Sequence, residues 1–236
     1  MRVIGRVWQR RLGLGLLIAA FSIARAEAHP HVWIDYDLTV DFDAGKMTAL
    51  HMEWSFDEDF TAAVLRDIVG DKKPPKTLKP ADVAKIEKDA FSNLKNYGYF
   101  THIFAGDGKL LAGPLVGEDR TATGAAPSEA EAMKNTERSF QTKQLGEVKD
   151  FQAKLAGAKL IYTFTLMLAQ PVDTKLGPIG IGVWDDTYYV DVGPAEGHDP
   201  KLIGAGATSC KALIVSDHQH PIYFGSVFPK VVRVTC

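Results

Sequence analysis

From residue 31 to residue 57 apolar and polar side chains alternate twice over, and no other feature constrains the fold of this chain as tightly. Val32, Ile34, Tyr36, Leu38 and Val40 point one way; His31, Trp33, Asp35, Asp37 and Asp41 point the other. A period of two is the mark of a half-buried strand. Asp43-Ala44-Gly45 reads as a three-residue hairpin loop, with Gly45 taking the left-handed position. A second alternating run follows, with Leu50, Met52, Trp54 and Phe56 on the apolar face and His51, Glu53, Ser55 and Asp57 on the other. Folding the two runs about Ala44 sets Asp37 opposite His51, Asp35 opposite Glu53, Trp33 opposite Ser55 and His31 opposite Asp57. Opposed side chains on one face have Cβ atoms about 4.5–5.5 Å apart. The hairpin thus collects histidines and carboxylates on one side, and a one-residue slip would bury them.

The rest of the chain extends this pattern. Asp57–Val69 has helical periodicity through Phe60, Val64, Leu65 and Ile68, and a Lys/Pro-rich loop leads to a second helix over Pro80–Asn96. Gly98 closes that helix; Tyr99–Phe104 and Leu110–Val116 form a hairpin around Ala105-Gly106-Asp107-Gly108. Glu118–Gly146 has few apolar residues and a capping box at Ser128-Glu129-Ala130-Glu131, the signature of a charged surface insertion. Val148–Leu155 and Lys159–Leu168 flank Gly157 as another hairpin; Gly180–Val192 supplies one or two strands, and the segments beside the cysteines supply two more. Short strands in hairpins with two or three helices predict an α+β fold of mainly antiparallel sheet.

The first 28 residues read as a secretion signal. Arg2, Arg6, Arg10 and Arg11 precede a short apolar stretch, Leu12–Ile23, and Ala26-Glu27-Ala28 provides the small residues of a cleavage site. That stretch falls short of the roughly 20 residues a membrane span needs. Cleavage after Ala28 leaves 22 basic and 28 acidic residues in the chain from His29 to Cys236, a net charge of −6. Such a surface repels nucleic-acid phosphates, so no nucleic-acid partner is expected. The two cysteines, Cys210 and Cys236, both fall in the exported part. In an oxidising compartment such a pair forms a disulfide, worth roughly 3 to 4 kcal/mol for a loop of about 27 residues.

That cleavage also creates a metal-binding terminus. His29 offers its α-amine and its imidazole to one ion, and His31 a third nitrogen. Imidazole and carboxylate suit zinc, with copper and nickel also admitted. His29, His31 and Asp57 are the expected ligands, the α-amine or Glu58 a further one, and Asp37 with His51 a supporting pair, a second site or a surface ion pair. Pro30 has no N–H and so blocks the stepwise amide coordination of many terminal copper or nickel motifs. His218-Gln219-His220-Pro221 is either a metal-capturing loop or an ordinary polar turn. Trp184, Asp185, Asp186, Tyr188, Tyr189 and Asp191 form either a turn between strands or a binding surface, and His102 reads as structural. There is no Gly-x-Ser-x-Gly, HExxH, P-loop or dinucleotide fingerprint, so the chain is not expected to be an enzyme.

The opening Ala28-His29-Pro30-His31-Val32-Trp33-Ile34-Asp35 resembles that of an uncharacterised bacterial periplasmic family, a domain of unknown function. Trp54-Ser55-Phe56-Asp57-Glu58, Leu94-Lys95-Asn96-Tyr97-Gly98-Tyr99-Phe100, Phe164-Thr165-Leu166 with Pro171, and Tyr188-Tyr189-Val190-Asp191 are similar to its motifs too. Members are described as periplasmic components of an ABC-type transport system, encoded beside inner-membrane permeases of the nickel/cobalt class. The resemblance implies a zinc-binding accessory protein that delivers metal to such a permease. The rivals are a copper enzyme using a terminal histidine chelate and a metal-free interaction module.

Overall fold

The structure, a computed structural model, describes residues 31–70, 75–114 and 142–236. The first hairpin is β1 (Val32–Asp43) and β2 (Lys46–Phe56), and its buried face is the expected one: Val32, Ile34, Tyr36, Leu38, Val40 and Phe42 against Met52, Trp54 and Phe56. The register differs from expectation. The loop is a two-residue turn, Ala44-Gly45, with φ 48° and 77°, which suits the twist of the strands. A bulge then passes over Thr48, so that Asp41 faces Ala49. Each departure moves the pairing by one residue. Two such moves preserve the faces and change every partner: Asp35 faces Ser55, Asp37 faces Glu53, and Thr39 faces His51.

Asp57 ends β2 and caps α1 (Glu58–Val64), accepting the Phe60 N–H through its Oδ1 at 2.8 Å. The helix continues as a π turn, Leu65–Val69, and stops at Gly70. Buried Thr61 ties α1 to the sheet, accepting the Leu160 N–H at 2.9 Å and donating to the Asp57 carbonyl at 2.7 Å. The second helix, α2, covers Pro80–Asp89 rather than reaching Asn96. From Phe91 to Phe100 the chain winds as a 3-10 segment with Gly98 and Tyr99 left-handed. Aromatic packing competes with the helical period there: Phe91 stacks on Phe151 at 4.2 Å and meets Phe164 at 5.0 Å.

The remaining strands are β3 (Thr101–Ala105), β4 (Leu110–Pro114), β5 (Thr142–Lys143), β6 (Leu145–Ala156), β7 (Lys159–Asp173), β8 (Ile179–Val183), β9 (Val190–Pro194), β10 (Lys201–Gly204), β11 (Lys211–Ser216) and β12 (Lys230–Thr235). One sheet runs β10-β1-β2-β7-β6, with β9 also paired to β1; the other runs β11-β12-β8-β3-β4-β5. Ladders are antiparallel except those of β9 and β10, which lie end to end along β1 and parallel to it. One apolar cluster joins both sheets and the helices, with Trp54, Tyr36, Tyr162 and Ile86 at its centre. The fold is α+β, as expected, and Cys210 and Cys236 form the expected disulfide at the end of the β11–β12 ladder. Most of the expected insertion lies outside the described residues; of its last residues, Thr142–Lys143 form β5 and Leu145 begins β6. The signal segment lies outside them too. Among the described residues no helix is long and apolar enough to cross a membrane.

Candidate functional site

Because β1 and β2 alternate, their outer face presents Asp35, Asp37, Thr39 and Asp41 beside His51, Glu53 and Ser55. Strand β7 continues it with Thr163 and Thr165, which face Glu53 and His51 across the ladder. The β9–β10 turn overhangs this floor because parallel pairing seats Lys201 beside Thr39. The result is an open cleft of about 740 Å³ lined by Asp37, Thr39, His51, Glu53, Asp150, Gln152, Thr163, Thr165, His198, Asp199 and Lys201. Four carboxylates and two imidazoles share it with the ammonium of Lys201, and Lys154 reaches Glu53 from β6, so carboxylates outnumber ammonium groups and its field attracts cations.

Two histidine contacts organise the floor. The Nδ1 of His198 lies 2.7 Å from Asp37 Oδ1, and the Nδ1 of His51 lies 2.9 Å from Thr165 Oγ1. The Nε2 of His51 lies 3.5 Å from Asp41 Oδ2, too long for a strong bond. Asp37 and His51 are therefore not an opposed pair as expected. They are diagonal neighbours, about 7–8 Å apart on one face, and each has another partner. Neither His198, which reads in the sequence as part of a Gly/Asp/Pro turn, nor Thr165, named only within the Phe164-Thr165-Leu166 motif, is an expected site residue. No local pattern marks His198: it reaches Asp37, 161 residues away in sequence, because β10 pairs with β1, a long-range step with no short-range sign.

The other expected ligands are placed differently. His29 lies outside the described residues. His31 does not face Asp57; its N–H donates to the Tyr189 carbonyl at 2.9 Å and its ring lies 4.7 Å from the Tyr189 ring. Asp57 sits opposite Trp33, and both its oxygens are committed: Oδ1 to the helix cap and Oδ2 to the Trp33 N–H at 2.9 Å. Among the described residues no three side chains of His, Cys, Asp or Glu already converge as a metal cage.

The loop after β11 is a second polar centre of another kind. His220 lies between Asp217 Oδ2, 2.7 Å from Nδ1, and the Gly108 carbonyl, 3.2 Å from Nε2. Its ring stacks on Phe104 at 3.8 Å, while His102 stacks on Trp184 at 4.1 Å and so is structural, as expected. Burial opposes charging of His220, but the Asp217 carboxylate, the Gly108 carbonyl and the charge of Asp186 outweigh it and raise its pKa. Burial likewise works against the Asp217 carboxylate, yet bonds from His220 and from the Gln219 N–H hold its pKa below the ordinary value. With both ring nitrogens engaged, His220 clasps the loop to the β3–β4 turn. The acidic–aromatic stretch is a turn: Asp185 accepts from the Thr187 and Val190 N–H groups, and the Tyr188 hydroxyl donates to Asp191 at 3.2 Å.

An uncharacterized protein of Haemophilus influenzae is 24% identical over 176 residues, covering 74% of this chain and 67% of its own length. Among solved structures, Capitella teleta AChBP in complex with lobeline aligns over 97% of this chain and 95% of that one, at 11% identity and a TM-score of 0.29, a likeness too slight to bear on fold or ligand. The decisive match is a family model spanning residues 14–223, and the chain belongs to that family, described as "Protein of unknown function (DUF1007)".

Proposed function

We propose that this protein is a periplasmic accessory protein that binds a divalent metal, zinc in the first place, and passes it to an inner-membrane permease of the nickel/cobalt class. The observation that carries this reading is the cleft on the outer face of β1, β2 and β7, where two imidazoles and four carboxylates outnumber the ammonium groups of Lys201 and Lys154. Imidazole nitrogen and carboxylate oxygen are the zinc ligands available to a protein whose cysteines are both oxidised. An open cleft suits transfer better than storage, because an incoming ligand reaches the ion without the fold opening. The His29-Pro30-His31 terminus, freed by cleavage after Ala28, adds donors. The disulfide accords with an oxidising compartment.

Calorimetric titration of zinc into the protein purified with its native mature terminus tests the reading. Stoichiometric binding is the expected result, together with zinc entry into permease vesicles that rises when the loaded protein is added. Absence of binding near neutral pH overturns it.

A further inference from the structure

The two histidines of the cleft are held alike. In the tautomer that carries its proton on Nδ1, His198 donates to Asp37 Oδ1 at 2.7 Å and His51 donates to Thr165 Oγ1 at 2.9 Å. In that tautomer Nε2 is the nitrogen left to ligate: on His198 it is the ring's second nitrogen, and on His51 it now faces Asp41 Oδ2 at 3.5 Å. Metal-binding histidines are oriented in this way, the second nitrogen donating to a carboxylate or other fixed acceptor, which sets the tautomer and strengthens the ligand. Glu53 shares their face: it is opposite Asp37 across the ladder and sits two residues from His51, about 6.6 Å along the strand. We propose that His198, held by Asp37, anchors a divalent-metal site on the cleft floor that Glu53 and His51 complete. The proposal rests on the metal-binding reading above and assigns its ligands.

The present contacts of these side chains yield readily. Glu53 pairs with Lys154 at 3.3 Å, side chains 43% and 61% exposed, and such a surface pair is worth little. His51 has only its long contact to Asp41 to release at Nε2. With the His198 side chain 62% exposed and that of His51 39%, an ion reaches both rings from solvent without disturbing the core. Asp37 stays behind His198 as a positioning residue.

Zinc titrations against a chromophoric chelator, on the mature protein with its native terminus, test the assignment. His198→Ala and Glu53→Gln are each expected to raise the zinc Kd at least about ten-fold, and Asp37→Ala by about 10- to 100-fold, the usual effect of losing such a carboxylate. In the metal-free protein, Asp37→Ala is also expected to move the His198 ring from the Nδ1–H form to a mixture of tautomers, read from its 15N shifts. A purely structural bond would leave the Kd unchanged. If zinc binds the wild type and all three variants equally, the assignment falls while the metal-binding reading stands, with ligands elsewhere such as His29 and His31. If the wild type binds no zinc, both fall.

Discussion

Replacing Asp217 by asparagine removes the charge that His220 clasps while keeping the shape of the side chain. The partners are 2.7 Å apart, with side chains 23% and 11% exposed, so solvent screens them only partly. Two unit charges about 4 Å apart attract by roughly 4 kcal/mol at an effective dielectric of about 20. Desolvation offsets part of this, leaving the roughly 1.5–3 kcal/mol typical of a hydrogen bond between charged groups. The replacement amide can still accept the Gln219 N–H, now bonded at 2.8 Å, so about 2 kcal/mol is the expected loss where both groups are ionised. The pH window follows from the two shifts. His220 has a raised folded pKa, so its contribution is complete below the unfolded value of about 6.5 and is lost as pH rises through the folded value. Asp217 has a lowered folded pKa, so its contribution is present above about 3.9 and fails as pH falls through the folded value. Urea unfolding followed by tryptophan fluorescence reads the effect, since the Trp184 and His220 ring centroids are 6.3 Å apart. The variant should lose about 2 kcal/mol at about pH 5.5 and under about 1 kcal/mol at about pH 9.5. An equal loss at both pH values would refute a cationic clasp.

Three further outcomes follow from single contacts. Asp57→Ala should cost about 1–2 kcal/mol through the lost helix cap and leave zinc affinity unchanged; a folded variant that no longer binds zinc would return Asp57 to the ligands. Among the described residues the hydroxyls of buried Tyr36 and Tyr162 have no hydrogen-bond partner, and burial holds both protonated by raising their pKa. Tyr36→Phe and Tyr162→Phe should therefore be neutral or stabilise by up to about 1 kcal/mol in chemical denaturation, and a clear loss would reveal a hidden partner. The double substitution Cys210→Ser with Cys236→Ser should lower unfolding free energy by about 3.5 kcal/mol, since the bridge closes a loop of 26 residues' separation in the unfolded chain.

What was legible in the sequence and what was not divides along sequence distance. Faces of strands are set by a period of two, a local property, so the buried set of β1 and β2 is the one the alternation names. The hairpin register depends on one turn and one bulge, whose energies differ by fractions of the terms that alternation fixes. Both went the other way, and Asp37 lost His51 as its opposite partner without leaving its side of the sheet. Helix α1 was readable through its apolar stripe, though not the capping role of Asp57; the end of α2 was not, because Phe91 is taken by aromatic rings from β6 and β7, more than fifty residues on.

The same division explains the site. Polar side chains on alternate positions had to share the solvent face, so the presence of His51, Glu53 and Asp37 in one cleft required only the strand pattern. His198 required two further facts, that β10 runs parallel to β1 and that its leading turn folds over Asp37, and neither is written in the residues around His198. A parallel pairing needs no turn signal between its strands, because the connection is long and carries structure of its own. Function in such a fold therefore gathers where a long-range pairing brings one more side chain to a face that local alternation had already made polar. This makes His198, rather than any residue of the hairpin itself, the position at which a substitution best separates a working cleft from a merely acidic surface.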